Sequence, residues 1–154
     1  MASPFPFTSG QVLTAAELNE IGDVQTYTPT WTATGGTPTI GNGTLTGKYT
    51  VINNWCSGSI SMALGSTSSI SGTTEWRWSL PVSAANSSLF DTLGAALVSD
   101  TGTSLYRGVA IYVPTNNIGV YASESAFSVS ATTPFTFTPA NADKVTISFA
   151  YEVA

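Results

Sequence analysis

The sequence predicts an all-β fold, an antiparallel β-sandwich of jelly-roll type preceded by a short N-terminal arm and helix. Three observations carry that expectation. Apolar residues recur with period two from Val24 to the end of the chain, and no stretch after Ile21 has helical spacing. Twenty Ser and 24 Thr among 154 residues, with 14 Gly and 8 Pro, favour short strands joined by tight turns. Aromatics at 11% and a mean hydropathy of +0.18 supply the core that a disordered chain lacks.

Residues 1–13 place Phe5, Phe7, Val12 and Leu13 in a stretch whose Pro4, Pro6 and Gly10 resist regular structure. Residues 14–17, Thr-Ala-Ala-Glu, read as a capping box: the Thr14 hydroxyl accepts from the Glu17 amide while the Glu17 carboxylate accepts from the Thr14 amide. A helix of about two turns should follow to Ile21, stopped by Gly22 in the left-handed conformation. So short a helix is marginal alone in water, and Leu18 and Ile21, three apart, share a face. Two readings stay open. Either that face closes one end of the chain's own core, or residues 1–25 are an arm that docks on another protein. The second takes Phe5, Phe7, Val12, Leu13, Leu18 and Ile21 as docking residues and residues 26–154 as the β domain.

From Val24 the chain alternates. Thr26, Thr28, Thr30, Thr32 and Thr34 fall on one side and Tyr27, Trp31 and Ala33 on the other, with Pro29 marking an edge strand. Residues 40–43, Ile-Gly-Asn-Gly, read as a hairpin turn. Leu45, Tyr49 and Val51 alternate with Thr44, Thr46, Lys48 and Thr50, and Asn53-Asn54 turns the chain into a strand with Ile60, Met62 and Leu64 on one face. A polar loop over 65–73 precedes Trp76, Trp78 and Leu80, which share a face until Pro81 ends the strand. Leu89, Phe90 and Leu93 anchor an irregular stretch. Residues 94–99 look like a buried strand, turned by Asp100-Thr101-Gly102. Val109, Ile111 and Val113 lead to a turn at 114–117 and a returning strand over 118–122. Phe127 with Val129, and Phe135 with Phe137, give two more short strands, and Val145, Ile147, Phe149, Tyr151 and Val153 line one face of the last. About ten short strands without repeat or linker fit one sandwich domain.

Charge and composition narrow the function. Only 8% of residues are charged, and two Lys with two Arg against nine acids leave a net charge of −5, which argues against nucleic acid or anionic membrane as a partner. The longest apolar runs fall far short of the roughly 20 residues that span a bilayer, and the N-terminus carries no signal-peptide pattern. A lone Cys56 excludes an internal disulfide and reads as a small core residue.

Catalytic signatures are sparse. With no histidine, Ser-His or Cys-His activation and imidazole ligation are excluded, and one Cys cannot supply a thiolate metal site. No cofactor is expected. Two of the nine acids could meet in space as a glycosidase pair, yet nothing in their spacing selects a pair. The glycines over 35–47 precede no helix, so phosphate cradling is unsupported. Trp55 and Tyr106 are the candidates for stacking on a host glycan, whereas Trp76 and Trp78, sharing a face with Leu80, read as core.

Residues 7–19, Phe-Thr-Ser-Gly-Gln-Val-Leu-Thr-Ala-Ala-Glu-Leu-Asn, resemble a phrase that opens many bacteriophage tail and fibre proteins ahead of a β-rich body. Residues 29–33, residues 38–49 and the Trp-Arg-Trp-Ser-Leu-Pro of 76–81 are similar to segments recurring in phage virion proteins, so the resemblance covers roughly residues 5–81. It implies a non-enzymatic virion component made in the host cytoplasm, foremost a short tail fibre or tail-associated adhesin. Partners implied are other phage virion proteins, a host-surface glycan and, by analogy with fibres, two further copies in a homotrimer. The same construction on the shell, as a capsid decoration or head-fibre protein, is the nearest alternative. A carbohydrate-binding module and a capsule depolymerase stand further off.

Overall fold

The structure, a computed structural model, describes residues 8–71, 75–85, 88, 91–122 and 140–154. Within them lie one helix, α1 (Ala15–Glu20), and nine strands: β1 (Gln25–Tyr27), β2 (Trp31–Ala33), β3 (Thr44–Ile52), β4 (Trp55–Ala63), β5 (Trp76–Ser79), β6 (Thr92–Asp100), β7 (Ser104–Val113), β8 (Asn117–Ala122) and β9 (Lys144–Glu152). All pairings are antiparallel. The fold is therefore all-β, as the alternation predicts. The strands form one continuous hydrogen-bonded sheet in the order β1-β3-β4-β9-β6-β7-β8-β5-β2.

That order makes the sheet curl. β1 and β2 are its two outermost strands, yet only Thr28, Pro29 and Thr30 separate them in sequence. Tyr27 and Trp31 are thus four residue steps apart, at most about 14 Å, so the two ends of the sheet must be brought together. The seam is stitched by Ser79 of β5: its amide donates to the Thr30 carbonyl at 3.0 Å, its hydroxyl accepts from the Thr30 amide at 2.9 Å, and its carbonyl accepts from the Tyr27 hydroxyl at 3.4 Å. The single edge strand expected over 26–34 is thus one extended run that changes partners at buried Pro29, where the missing N–H makes a ladder break costless. Its face pattern holds through the break. Thr26, Thr28, Thr30, Thr32 and Thr34 are all exposed, and Trp31 is buried.

Curling gives the sheet an inside. Trp31, Trp76 and Trp78 pack edge to face, with ring centroids 5.0 Å apart for the first pair and 6.3 Å for the second, against Ile60, Met62, Ile118, Val120, Ile147 and Phe149. Cys56 is fully buried in the same core. Tyr27 lies across Gly47 of β3, where a Cβ would sit 2.1 Å from the ring, so a side chain there would expel the tyrosine. β9 pairs with β6 only over Lys144–Ile147. Beyond that it runs beside residues 83–85, with the Ala85 amide donating to the Glu152 carbonyl at 2.8 Å.

Three local readings change. Residues 40–43 do form a turn, the Gly43 amide donating to the Ile40 carbonyl at 2.9 Å, but it closes no hairpin: Asn42 instead ties residues 65–69 to β3, its Oδ1 accepting from the Thr67 amide at 2.9 Å. β6 is buried on one face only, with Ala95 and Leu97 exposed. An unbroken apolar run cannot distinguish a strand covered twice from one covered once. The strands expected around Phe127, Val129, Phe135 and Phe137, and the anchors Leu89 and Phe90, lie outside the described residues.

Burial holds the Tyr151 and Tyr27 phenols well above their usual range and also raises the Cys56 thiol. In the unfolded chain the phenols ionise near about 10 and the thiol near about 8.5, so with rising pH the unfolded state loses protons first. Stability is full below that range and falls above it. The thermal midpoint should therefore decline between about pH 9 and pH 11, and less steeply in Tyr151→Phe. A midpoint that stays level across that interval would contradict the burial of these groups.

Candidate functional site

The arm is built from local hydrogen bonds. Thr8 and Gln11 close a turn, the Gln11 amide donating to the Thr8 carbonyl at 3.1 Å and the Thr8 amide to Gln11 Oε1 at 3.1 Å. The capping box forms as the sequence predicts: the Glu17 amide donates to Thr14 Oγ1 at 3.2 Å and the Thr14 amide to Glu17 Oε2 at 2.7 Å. Gln11 Nε2 donates to the other carboxylate oxygen at 3.0 Å. The bonds to the carboxylate, the Thr14 amide's above all and then those of the Thr14 hydroxyl and Gln11, lower the pKa of Glu17. Gly22 stops the helix with φ of 76°.

Several of the arm's polar groups find partners nearby, whereas none of its described apolar side chains joins the core cluster. No residue of α1 is buried. Val12 is 85% exposed and Leu18 50%, with Leu13, Ile21 and Val24 exposed as well. Leu18 and Ile21 therefore do not close the core, and four of the six candidate docking residues stand together on an uncovered segment. The remaining two, Phe5 and Phe7, lie outside the described residues. The arm meets the body where Gly22 approaches Ile52 at the tip of the β3–β4 hairpin.

The two aromatic candidates are not brought together. Trp55 opens β4 beside Asn53-Asn54, 53% exposed, and is the register partner of Glu152. Tyr106 lies in β7 opposite Val98, half-buried against the core. The two sit at opposite ends of the sheet and on opposite faces of it. Trp76 and Trp78 are core residues, 1% and 0% exposed.

Sequence reasoning missed a second apolar surface. Strand register places Ala95, Leu97 and Ser99 of β6 opposite Val109, Arg107 and Leu105 of β7. All six side chains share the outer face, with Leu105 66% exposed and Leu97 and Val109 also open. A signal was present in the alternation of Leu105, Arg107 and Val109, but alternation does not say which of two faces is covered. Beside this patch the β6–β7 turn forms a shallow hollow of about 470 Å³ lined by Ser99, Asp100, Gly102, Thr103, Ser104 and Leu105.

Several of the described acids hold local structure. Glu75 pairs with Arg77 at 2.5 Å, Asp91 accepts from the Ser88 amide, and Glu152 accepts from Asn54. Asp143, the one buried charged residue among those described, accepts from the amides of Thr101 and Ala140 at 2.9 and 2.7 Å. Among the described residues no group of His, Cys, Asp and Glu is placed to hold a metal ion, and no helix is long and apolar enough to cross a membrane.

No family model and no solved structure matches the chain. Among curated proteins, the Mu-like prophage FluMu defective tail fiber protein of Haemophilus influenzae is 32% identical over 114 residues. Those residues make up 74% of this chain and 18% of that protein, so the chain spans under a fifth of its relative's length. About three-quarters of this chain is thus similar to one portion of a prophage tail fibre protein.

Proposed function

We propose that the chain is a non-enzymatic structural part of a phage tail fibre, attached through its N-terminal arm to a neighbouring protein chain and presenting the curled β-sheet outward. The observation that carries this is the state of the arm. Several of its polar groups are paired locally, whereas its described apolar side chains stay outside the core, Val12 and Leu18 at least half in water. A segment left that way gains free energy only by covering Val12, Leu13, Leu18 and Ile21 with another surface, at roughly 25 cal/mol per Å² of apolar area removed from water. Similarity to a tail fibre protein supports the tail over the capsid shell as the place of attachment. Among the described residues of the body, Trp55 is the exposed aromatic available for a host glycan.

Deleting residues 2–22 tests this reading. The truncated chain should keep its cooperative unfolding transition, since α1 buries nothing, and should fail to join phage particles when supplied in place of the full chain. Truncated protein found on purified particles at the normal level would refute the attachment role. Trp55→Ala should leave incorporation intact and reduce adsorption to host cells.

A further inference from the structure

We infer that the surface covered by the arm is the outer face of β9, β6 and β7 on a second copy of this chain, so that copies are strapped together by their N-terminal segments. This rests on the attachment role proposed above and names the partner.

Two uncovered apolar surfaces occur on one molecule, and their charges are opposite. The arm interleaves Val12, Leu13, Leu18, Ile21 and Val24 with Glu17, Glu20 and Asp23, and no Lys or Arg precedes Lys48. The sheet face interleaves Leu97, Leu105 and Val109 with Arg107, while Lys144, the register partner of Ser99, flanks it on β9. Those two residues are half of the chain's four cations. Asp100, at the end of β6, borders the patch, and Asp143, next to Lys144, is buried with its carboxylate on the amides of Thr101 and Ala140. An acidic apolar segment against a basic apolar face matches in both respects, and the charges fix orientation more than they add affinity.

Dimensions agree as well. From β9 to β7 the face is two strand spacings wide, about 10 Å, which is the width of one helix with its side chains. Four residues of β7 separate Leu105 from Val109, about 13 Å, longer than the roughly 9 Å of the six-residue α1.

In the folded chain a copy's own arm does not lie on this face. It leaves the body beside β3, three strands away from β6 in the sheet order, about 14 Å. It also leaves at the end of the sheet where Ile52, Trp55 and Glu152 are in register, whereas Leu97 and Ser99 pair with Thr146 and Lys144 at the other end of β9. A neighbouring copy carries no such offset.

Sedimentation velocity of the full chain in about 0.05 M and about 0.5 M NaCl tests this. Association is expected at low salt, weakened several-fold at high salt. Leu105→Ser should weaken it at least about tenfold. Glu20→Arg and Arg107→Glu should each weaken it, and a chain carrying both should associate better than either alone. Deletion of residues 2–22 should leave a monomer. The inference is overturned if the full chain is monomeric at low salt, if Leu105→Ser associates like the parent, or if the double charge exchange restores nothing. It also fails if amides of residues 15–20 are protected from hydrogen exchange in a monomer, which would place the arm on its own body. A monomeric chain that still needs residues 2–22 to enter particles defeats this inference and leaves the attachment reading standing. If neither association nor incorporation needs those residues, both fall.

Discussion

Replacing Trp78 with alanine should cost about 3–5 kcal/mol of folding stability, a large share of the roughly 5–15 kcal/mol that holds a domain of this kind together. Trp78 is fully buried, pairs in register with both Trp31 and Ile118, and packs edge to face on Trp76. It stands where β5 joins β8 to β2, so the cavity left behind would lie beneath the seam that closes the curl. Neighbouring strands cannot collapse into it without opening that seam. Urea unfolding followed by circular dichroism gives the comparison, with Trp55→Ala as the partner measurement. Trp55 is more exposed than buried, and its removal should move the midpoint by no more than about 0.5 kcal/mol equivalent. Equal losses from the two would mean that the three-tryptophan cluster is not the core.

Asp143→Ala should be the second most damaging change, at about 3 kcal/mol, since two backbone donors lose a charged acceptor worth roughly 1.5–3 kcal/mol each in hydrogen bonding. The residue ties three loops. Its carboxylate holds the amides of Thr101 and Ala140, and its own carbonyl accepts from Leu64 at 2.9 Å. Asp143→Asn keeps one acceptor oxygen and should lose about half as much. Thermal melts of both variants rank them. An asparagine variant as unstable as the alanine one would show that the site requires both carboxylate oxygens at once, since the asparagine NH2 would face a backbone donor.

Much of the architecture can be read from residues alone, because period-two alternation reports which side chains share a face. Ile60, Met62 and Leu64, or Val145 through Tyr151, need no tertiary information to be assigned inward. The helix is equally legible, its start written in the reciprocal bond of Thr14 and Glu17 and its stop in Gly22. What alternation withholds is which strands become neighbours. Nothing in Thr28-Pro29-Thr30 says that the residues on either side belong to opposite ends of one sheet; that follows from where Ser79 stands in space. The candidate surfaces divide in the same way. Whether Leu18 and Ile21 meet the core depends on the path of the chain beyond Gly22, and whether Leu97 is covered depends on what packs over β6. Both are long-range facts. Tyr106 and Trp55 look alike in sequence, each an aromatic close to a turn, and differ because strand register points one inward and the other to solvent.

The passage of the chain through Pro29 has a consequence for how such molecules can be crowded. Sheets aggregate when a long unpaired rim templates strands from a neighbour, the route to fibrils and runaway polymers. Here the two outermost strands are three residues each and belong to one continuous stretch, so a foreign strand approaching either one meets the other. Copies packed side by side at high local density are thereby steered away from backbone-to-backbone addition and toward contacts made by side chains, which mutation can tune one at a time.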